Sequence, residues 1–273
     1  MPKFGVLIVD DSALLRQVLR ATIDATSDLF VIAEAKDGLE ATALVKSTYP
    51  DVMTLDVQMP RLDGLTFLHG LMRLKPMPVV MCSSLTAAGC HETIEALELG
   101  AVDFVTKPSG STMSLDAFAD EVVAKLRRAL QLTARVRSDA LRKPTPLGIK
   151  AVNAGVTFVN GPQETRAIAI GANTGGIVSL ITLLSALPGR CPPIVISQYL
   201  PTGVAEVIVA RLQKRCSVEV KIVEDGEPLR RDVVFLAPSE RHVSIVLAGG
   251  KVPSIHCDDG PPIDKARPSS TKL

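Results

Sequence analysis

The sequence has no tryptophan, two tyrosines and seven phenylalanines. A platform that stacks successive bases of a single strand needs more aromatic surface than that, so a nucleic-acid partner of this kind is not expected. No apolar run approaches the ~20 residues that a membrane-spanning helix requires, so no membrane insertion is expected. Met1-Pro2-Lys3 leads into a short apolar stretch that ends in Asp10 and Asp11, too short for a signal peptide and without a cleavage site. The five cysteines (Cys82, Cys90, Cys191, Cys216, Cys257) are odd in number and form no C-x-x-C pair. They read as reduced thiols rather than as a disulfide frame or zinc site. Net charge is also nearly absent, at +1, which argues against bulk polyanion binding. A soluble cytoplasmic protein is the expectation.

What the chain does have is apolar content, 47% of 273 residues, enough for the cores of two modest domains. Its charge is unevenly spread. Residues 1–125 carry a net charge of −7, residues 126–165 carry +5 and residues 166–273 carry +3. The middle block, with Lys143-Pro144-Thr145-Pro146 and Asn153-Ala154-Gly155, shows no sustained period. It reads as a solvated linker, giving domains at 1–128 and 166–273 joined by 129–165.

In the first block, short apolar runs at 6–9, 30–33, 52–55, 79–81 and 104–105 alternate with helical patterns at 13–23, 39–45, 65–74, 93–99 and 115–130. Five strands alternating with five helices predict an α/β fold, a parallel sheet covered on both faces. The functional crevice of such a sheet lies at the carboxyl ends of its strands. Asp10 and Asp11 fall there after the first strand, Asp56 after the third, Ser83 after the fourth and Lys107 after the fifth. Any one acid alone reads as a solvated strand end. Three converging carboxylates repel one another unless a cation sits among them, and carboxylate oxygens with water suit Mg²⁺. A carboxylate beside that metal can take a phosphoryl group, with Lys107 and the Ser83 hydroxyl neutralising the transferred oxygens.

These residues carry a resemblance. Val9-Asp10-Asp11-Ser12, Leu55-Asp56-Val57-Gln58-Met59-Pro60, Asp63-Gly64, Ser83-Ser84-Leu85-Thr86 and Phe104-Val105-Thr106-Lys107-Pro108 resemble the receiver domain of response regulators. The resemblance implies a flavodoxin-like, doubly wound sheet of five strands. It implies Asp56 as phosphoacceptor, Mg²⁺ held by Asp10, Asp11, Asp56 and the backbone carbonyl of Gln58, and Ser83 and Lys107 on the phosphoryl group. Phe104 takes the aromatic switch position, and a histidine kinase is the phosphodonor. Met81-Cys82-Ser83-Ser84-Leu85-Thr86 and the stretch from Ala96 to Phe104 narrow the likeness to the chemotaxis methylesterase regulators, the CheB family. That family acts on methyl-accepting chemoreceptors as an esterase and as a glutamine deamidase.

In the last block, strand patterns at 167–170, 194–197, 218–223, 233–236 and 243–247 and helical patterns at 177–184 and 205–212 predict a second α/β unit. Gly171-Ala172-Asn173-Thr174-Gly175-Gly176 is a glycine-rich strand-to-helix turn, but not the dinucleotide fingerprint. Thr174-Gly175-Gly176, Gln198 with Leu200-Pro201, Glu224-Asp225-Gly226-Glu227-Pro228-Leu229 and Asp259-Gly260-Pro261-Pro262 make this block similar to the CheB catalytic domain. Two positions depart from it. Asn173 stands where the family has its nucleophilic Ser, and Tyr199 where it has its catalytic His. The third member of the triad, an Asp, has no counterpart, and the unit reads as an incomplete, truncated methylesterase-like domain. A carboxamide offers no hydroxyl to activate, and a phenol is a poor base near neutrality. Thr174, Ser179, His242 and His256 are loose substitutes only. The expectation is therefore a phosphorylation-controlled chemotaxis response regulator of a two-component system whose esterase domain is a pseudoenzyme. Two alternatives stand beside it: an active methylesterase and glutaminase with an unrecognised nucleophile, and a DNA-binding regulator, for which no reader motif is present.

Overall fold

The computed structural model describes residues 3–84, 87–108, 114–141, 167–173, 175–201, 203–247, 252–263, 267–269 and 271–273. The N-terminal unit runs β1 (Phe4–Val9), α1 (Ala13–Asp24), β2 (Leu29–Ala35), α2 (Gly38–Thr48), β3 (Val52–Asp56), α3 (Gly64–Leu74), β4 (Val79–Ser83), α4 (Ala87–Glu98), β5 (Asp103–Thr106) and α5 (Leu115–Leu141). All five strands pair in parallel, in the order β2-β1-β3-β4-β5. The expected α/β, doubly wound sheet is thus what the chain forms. Alternate residues of β1 serve opposite faces. Leu7 and Val9 join an apolar cluster with α2, α3 and α4 residues, while Val6 and Ile8 pack with Leu19, Phe118 and Val122 of α1 and α5. Burial on both faces is why β1 reads as an unbroken apolar run instead of an alternation.

Helix starts are fixed by side-chain caps: Ser12 Oγ accepts from the Leu15 amide, Asp37 from Leu39 and Glu40, and Asp63 from Thr66. The strand order reverses between β1 and β3, so the carboxyl ends of these two strands flank the crevice. Helix α5 continues to Leu141, beyond the end of its apolar period at residue 130. No Gly or Pro interrupts 131–141, and Gln, Leu, Ala and Arg there are good helix formers. The stretch expected to be unpatterned from 129 therefore opens as helix; residues 142–166 lie outside the described residues.

The C-terminal unit comprises β6 (Ile168–Ala172), α6 (Gly176–Ser185), β7 (Ile194–Gln198), α7 (Val204–Gln213), β8 (Glu219–Ile222), β9 (Val233–Leu236), β10 (His242–Val246) and β11 (Ser254–Asp258). β6 to β9 form a parallel sheet in the order β6-β7-β9-β8, and β10 pairs β11 antiparallel as a separate ribbon. β11 was not expected from the sequence. Only Ile255 and Cys257 face the core, and His256 between them is exposed, so the strand has too few apolar residues to read as a run.

The two units touch through α4 and α7. Glu98 at the end of α4 receives Arg211 Nη1 at 2.6 Å and Arg215 Nη1 at 2.7 Å. One apolar cluster is continuous across this contact, from Phe67, Ile94 and Leu97 to Leu180, Ala205 and Ile208. Partly exposed ion pairs contribute little by themselves, so the apolar packing holds the contact and the arginines fix its register. Among the described residues no helix is long and apolar enough to cross a membrane.

Gly64 closes the β3–α3 connection against the sheet edge. A Cβ there would lie 2.0 Å from the Asp56 carbonyl oxygen, a backbone atom that cannot yield. Gly64→Ala is expected to destabilise the N-terminal unit by roughly 3 kcal/mol, read as a lowered denaturant midpoint. An unchanged midpoint would mean that the connection can shift freely.

Candidate phosphoacceptor pocket and strand-end turn

Asp10 follows β1 and Asp56 ends β3, and both are buried, whereas Asp11 is exposed. One carboxylate oxygen of each lies within 4.8 Å of the other two. β5 delivers Lys107 to the same edge, its Nζ 2.9 Å from Asp10 Oδ2 and 2.7 Å from Asp56 Oδ2. The remaining oxygens accept backbone amides: Asp10 Oδ1 from Ser12 at 2.9 Å, Asp56 Oδ1 from Gln58 at 3.3 Å. A cavity of about 250 Å³ opens here, lined by Asp11, Asp56, Gln58, Ser83, Glu92 and Lys107 among others. The sequence-expected set is therefore brought together.

Burial pushes the Asp56 carboxyl up to about 6, and the Asp10 charge adds to this while Lys107 opposes it. Burial acts to lower the Lys107 ammonium, but Asp10 and Asp56 overcome it and the net direction is upward. One lysine faces three acids. Hard oxygen donors with uncompensated negative charge fit a small divalent cation such as Mg²⁺.

Ser83 is buried, and its hydroxyl donates to the carbonyls of Ser84 and Gly89. Phe104 is buried, with Lys125 Nζ 5.2 Å from its ring centroid. Glu92 was missed by sequence reasoning. It lies within α4, and its carboxylate accepts Gln58 Nε2 at 3.3 Å. No motif marks it; only the start of α4 at Ala87 turns it toward the pocket.

The second constellation lies at the carboxyl ends of β6 and β7. Ala172 and Gln198 are register partners on these parallel strands, so Asn173 and Tyr199 leave the sheet side by side. Gly175, in the left-handed region at φ 75°, begins α6 without a side-chain cap, and the Gly176 amide donates to the Asn173 carbonyl at 2.7 Å. A Cβ on Gly176 would meet Gln198 Oε1 at 2.9 Å, so the turn needs glycine to pack on β7. Burial pushes the Tyr199 phenol up, helped by the Glu121 charge and opposed by Lys125. Thr174 lies outside the described residues.

The loose substitutes are not brought to this turn as a base. His242 is fully buried, with Nδ1 accepting the Ser269 amide at 3.2 Å and Nε2 donating to the Pro261 carbonyl at 3.0 Å. Both ring nitrogens are committed. His256 pairs with Asp225 Oδ1 at 3.0 Å on β11. Ser179 lies exposed on α6.

Two family profiles match the chain: the response regulator receiver domain over residues 6–119 and the CheB methylesterase over residues 168–273. The protein-glutamate methylesterase/protein-glutamine glutaminase of Salmonella typhimurium is 43% identical over 272 residues, covering 98% of this chain and 74% of that one. The corresponding protein of Escherichia coli O157:H7 gives the same identity and coverage. The crystal structure of the response regulator domain of Thermotoga maritima CheB is 46% identical, covers 47% of this chain and 97% of its own, and has a TM-score of 0.44.

The raised Asp56 carboxyl has a consequence for stability. The folded state binds this proton more tightly than the unfolded chain does. Its contribution to stability is therefore present below the ordinary carboxylate value and is lost as pH rises from about 4 to about 6. In EDTA at pH 7, Asp56→Asn is expected to stabilise the protein by about 1–3 kcal/mol, with the difference shrinking at pH 4. Equal midpoints at both pH values would contradict the assignment.

Proposed function

The chain belongs to the protein-glutamate methylesterase/protein-glutamine glutaminase (CheB) family of receiver-linked response regulators, and on that premise we propose that it is a phosphorylation-controlled cytoplasmic chemotaxis regulator without esterase activity. We read 1–128 as its receiver, 129–165 as the connection and 166–273 as its methylesterase-like domain.

The receiver reading is supported by the convergence of Asp10, Asp11, Asp56 and Lys107 within one cavity. The phosphodonor is the phosphohistidine of a kinase. An Asp56 carboxylate oxygen forms the new O–P bond as the N–P bond of the donor breaks, leaving an acyl phosphate. Asp10, Asp11, Asp56 and the Gln58 carbonyl would hold Mg²⁺, whose charge offsets that of the phosphoryl oxygens. Lys107 supplies a second positive charge and Ser83 a hydroxyl donor, which must turn from Gly89 to reach the phosphoryl group. Buried Phe104, on β5 ahead of Lys107, is read as the aromatic switch.

The observation that carries the loss of esterase activity is the pair at the register-matched strand ends, Asn173 and Tyr199. Ester hydrolysis by a covalent route needs a group that attacks the carbonyl and a base that takes its proton. The Asn173 carboxamide does not attack, and the Tyr199 phenol, partly exposed yet pushed up by desolvation of its ring and by the Glu121 charge, does not accept a proton near neutrality. The fold is retained around them, so binding to methyl-accepting chemoreceptors without demethylation is the role this reading leaves to the domain.

Acetyl phosphate with Mg²⁺ is expected to label Asp56, with the label lost in Asp56→Asn and on adding EDTA. Undiminished labelling of that variant would place the acceptor elsewhere.

With methylated receptors, methanol release is expected to stay at background, phosphorylated or not. Phosphorylation-stimulated release by the unaltered chain would favour the active esterase and glutaminase reading. Asn173→Ser combined with Tyr199→His is expected to recover little, since among the described residues no carboxylate is hydrogen-bonded at position 199 to orient a histidine.

A further inference from the structure

The turn between β1 and α1 is held by a cation that the phosphoryl chemistry does not use. Arg16 is the fourth residue of α1, and its Nη1 donates to the main-chain carbonyls of Asp10 at 2.7 Å and Asp11 at 3.2 Å. Its Nε lies 3.4 Å from Glu34 Oε2, and both side chains are partly buried. Glu34 stands on β2 as the register partner of Ile8, and its other oxygen takes Nε of Arg20, one turn further along α1. One guanidinium thus ties the end of β1 to both α1 and β2.

Electrostatics alone disfavours a cation in this place. Positive charge near a helix N-terminus opposes the helix dipole, and beside a site that takes a divalent cation it repels the ligand. Geometry offers the compensation. The Asp10 and Asp56 carboxylates are oriented directly, by Lys107 and by the amides of Ser12 and Gln58. Asp11 is exposed, and its direction is set through its main chain. On one side of that stretch the Asp10 amide donates to the Ala35 carbonyl at 3.1 Å. On the other, Arg16 holds the carbonyls of both acids. With these carbonyls drawn toward α1, the Asp11 carboxylate stays on the pocket side, one oxygen within 4.8 Å of oxygens of Asp10 and Asp56.

We infer that Arg16, backed by Glu34, is a positioning residue for the divalent cation: it clamps the Asp10-Asp11 main chain so that the Asp11 carboxylate is presented to the pocket. The inference rests on the phosphoacceptor reading of Asp56 and adds to it a support that touches neither metal nor phosphoryl group. Partners that orient the ligands of a metal are typically worth about 10–100-fold in its affinity. Arginine suits the task because its planar group faces two carbonyls and a carboxylate at once, whereas a lysine ammonium is a single point on a flexible stem. Charge and geometry predict opposite signs. If the charge of Arg16 dominated, removing it would tighten metal binding; if the clamp dominates, removing it weakens metal binding.

Calorimetric titration of the full chain with MgCl₂, without phosphodonor, tests this. Arg16→Met and Arg16→Lys are each expected to raise the Mg²⁺ dissociation constant at least about tenfold. Arg127→Met removes the same charge at the opposite end of β2, where Arg127 pairs with Asp28, and should leave the constant unchanged. Glu34→Gln should weaken binding in the unaltered chain and add nothing in the Arg16→Met background, because it acts through Arg16. In acetyl phosphate labelling of Asp56, the Arg16→Lys chain should need more Mg²⁺ for half-saturation yet approach the unaltered rate once Mg²⁺ saturates. Unchanged or tighter Mg²⁺ binding by Arg16→Met overturns the inference, as does full retention of affinity by Arg16→Lys. A labelling rate that stays low at saturating Mg²⁺ also overturns it, since Arg16 would then support the fold of the pocket at large. These outcomes leave the phosphoacceptor reading standing; an unaltered chain that binds no Mg²⁺ and takes no label overturns both.

Discussion

The N-terminal unit is organised around an electrostatic conflict: three carboxylates share one sheet edge with a single lysine. Parallel pairing of β1, β3 and β5 within one sheet forces them together, since each strand delivers its terminal residue to the same edge. Lys107 relieves part of the repulsion by bridging Asp10 and Asp56. What is left is a pocket of net negative charge, with the buried Asp56 carboxyl held above its ordinary range. Such a pocket gains by taking up positive charge, and the surrounding structure serves that need. Gly64 keeps the β3–α3 connection tight against Asp56, and the caps at Ser12 and Asp63 start the helices that border the crevice.

On the reading proposed above, the C-terminal unit keeps the scaffold of a strand-end active site with different groups mounted on it. Gly175 and Gly176 still form the tight turn, Gln198 still packs beneath it, and the β6/β7 register still sets two side chains next to each other. On that reading structure and chemistry are separable, because the turn depends on backbone conformation and small size, whereas hydrolysis would depend on the identity of the side chains at 173 and 199. Asn173 and Tyr199 can change without disturbing the glycines.

Much of this was legible in the sequence. Strand and helix alternation through residue 130 follows from apolar runs whose two faces are both covered, and the site residues follow from their position after each run. What was not legible depends on tertiary context. β11 has two core-facing residues out of five, so its pairing with β10 decides its state more than its composition does. α5 runs past its apolar stripe to Leu141 through residues that are good helix formers. Glu92 reaches the pocket only through the placement of α4. His242 reads as a spare base in the sequence, but in the fold both of its nitrogens are engaged, by the Ser269 amide and the Pro261 carbonyl.

Strand order also sets a timetable for a chain emerging from the ribosome. In the first sheet the earliest strand is interior, between β2 and β3, and each of these can be laid against it as soon as it is made. In the second sheet β9 separates β7 from β8. β8, complete at residue 222, has no neighbour until residues 233–236 arrive to fill the gap. The charged edge strand must wait in solvent, and Glu219 and Lys221 suit it for waiting. The N-terminal unit can therefore be finished, with its acidic pocket formed, while the other sheet is still lacking its third member.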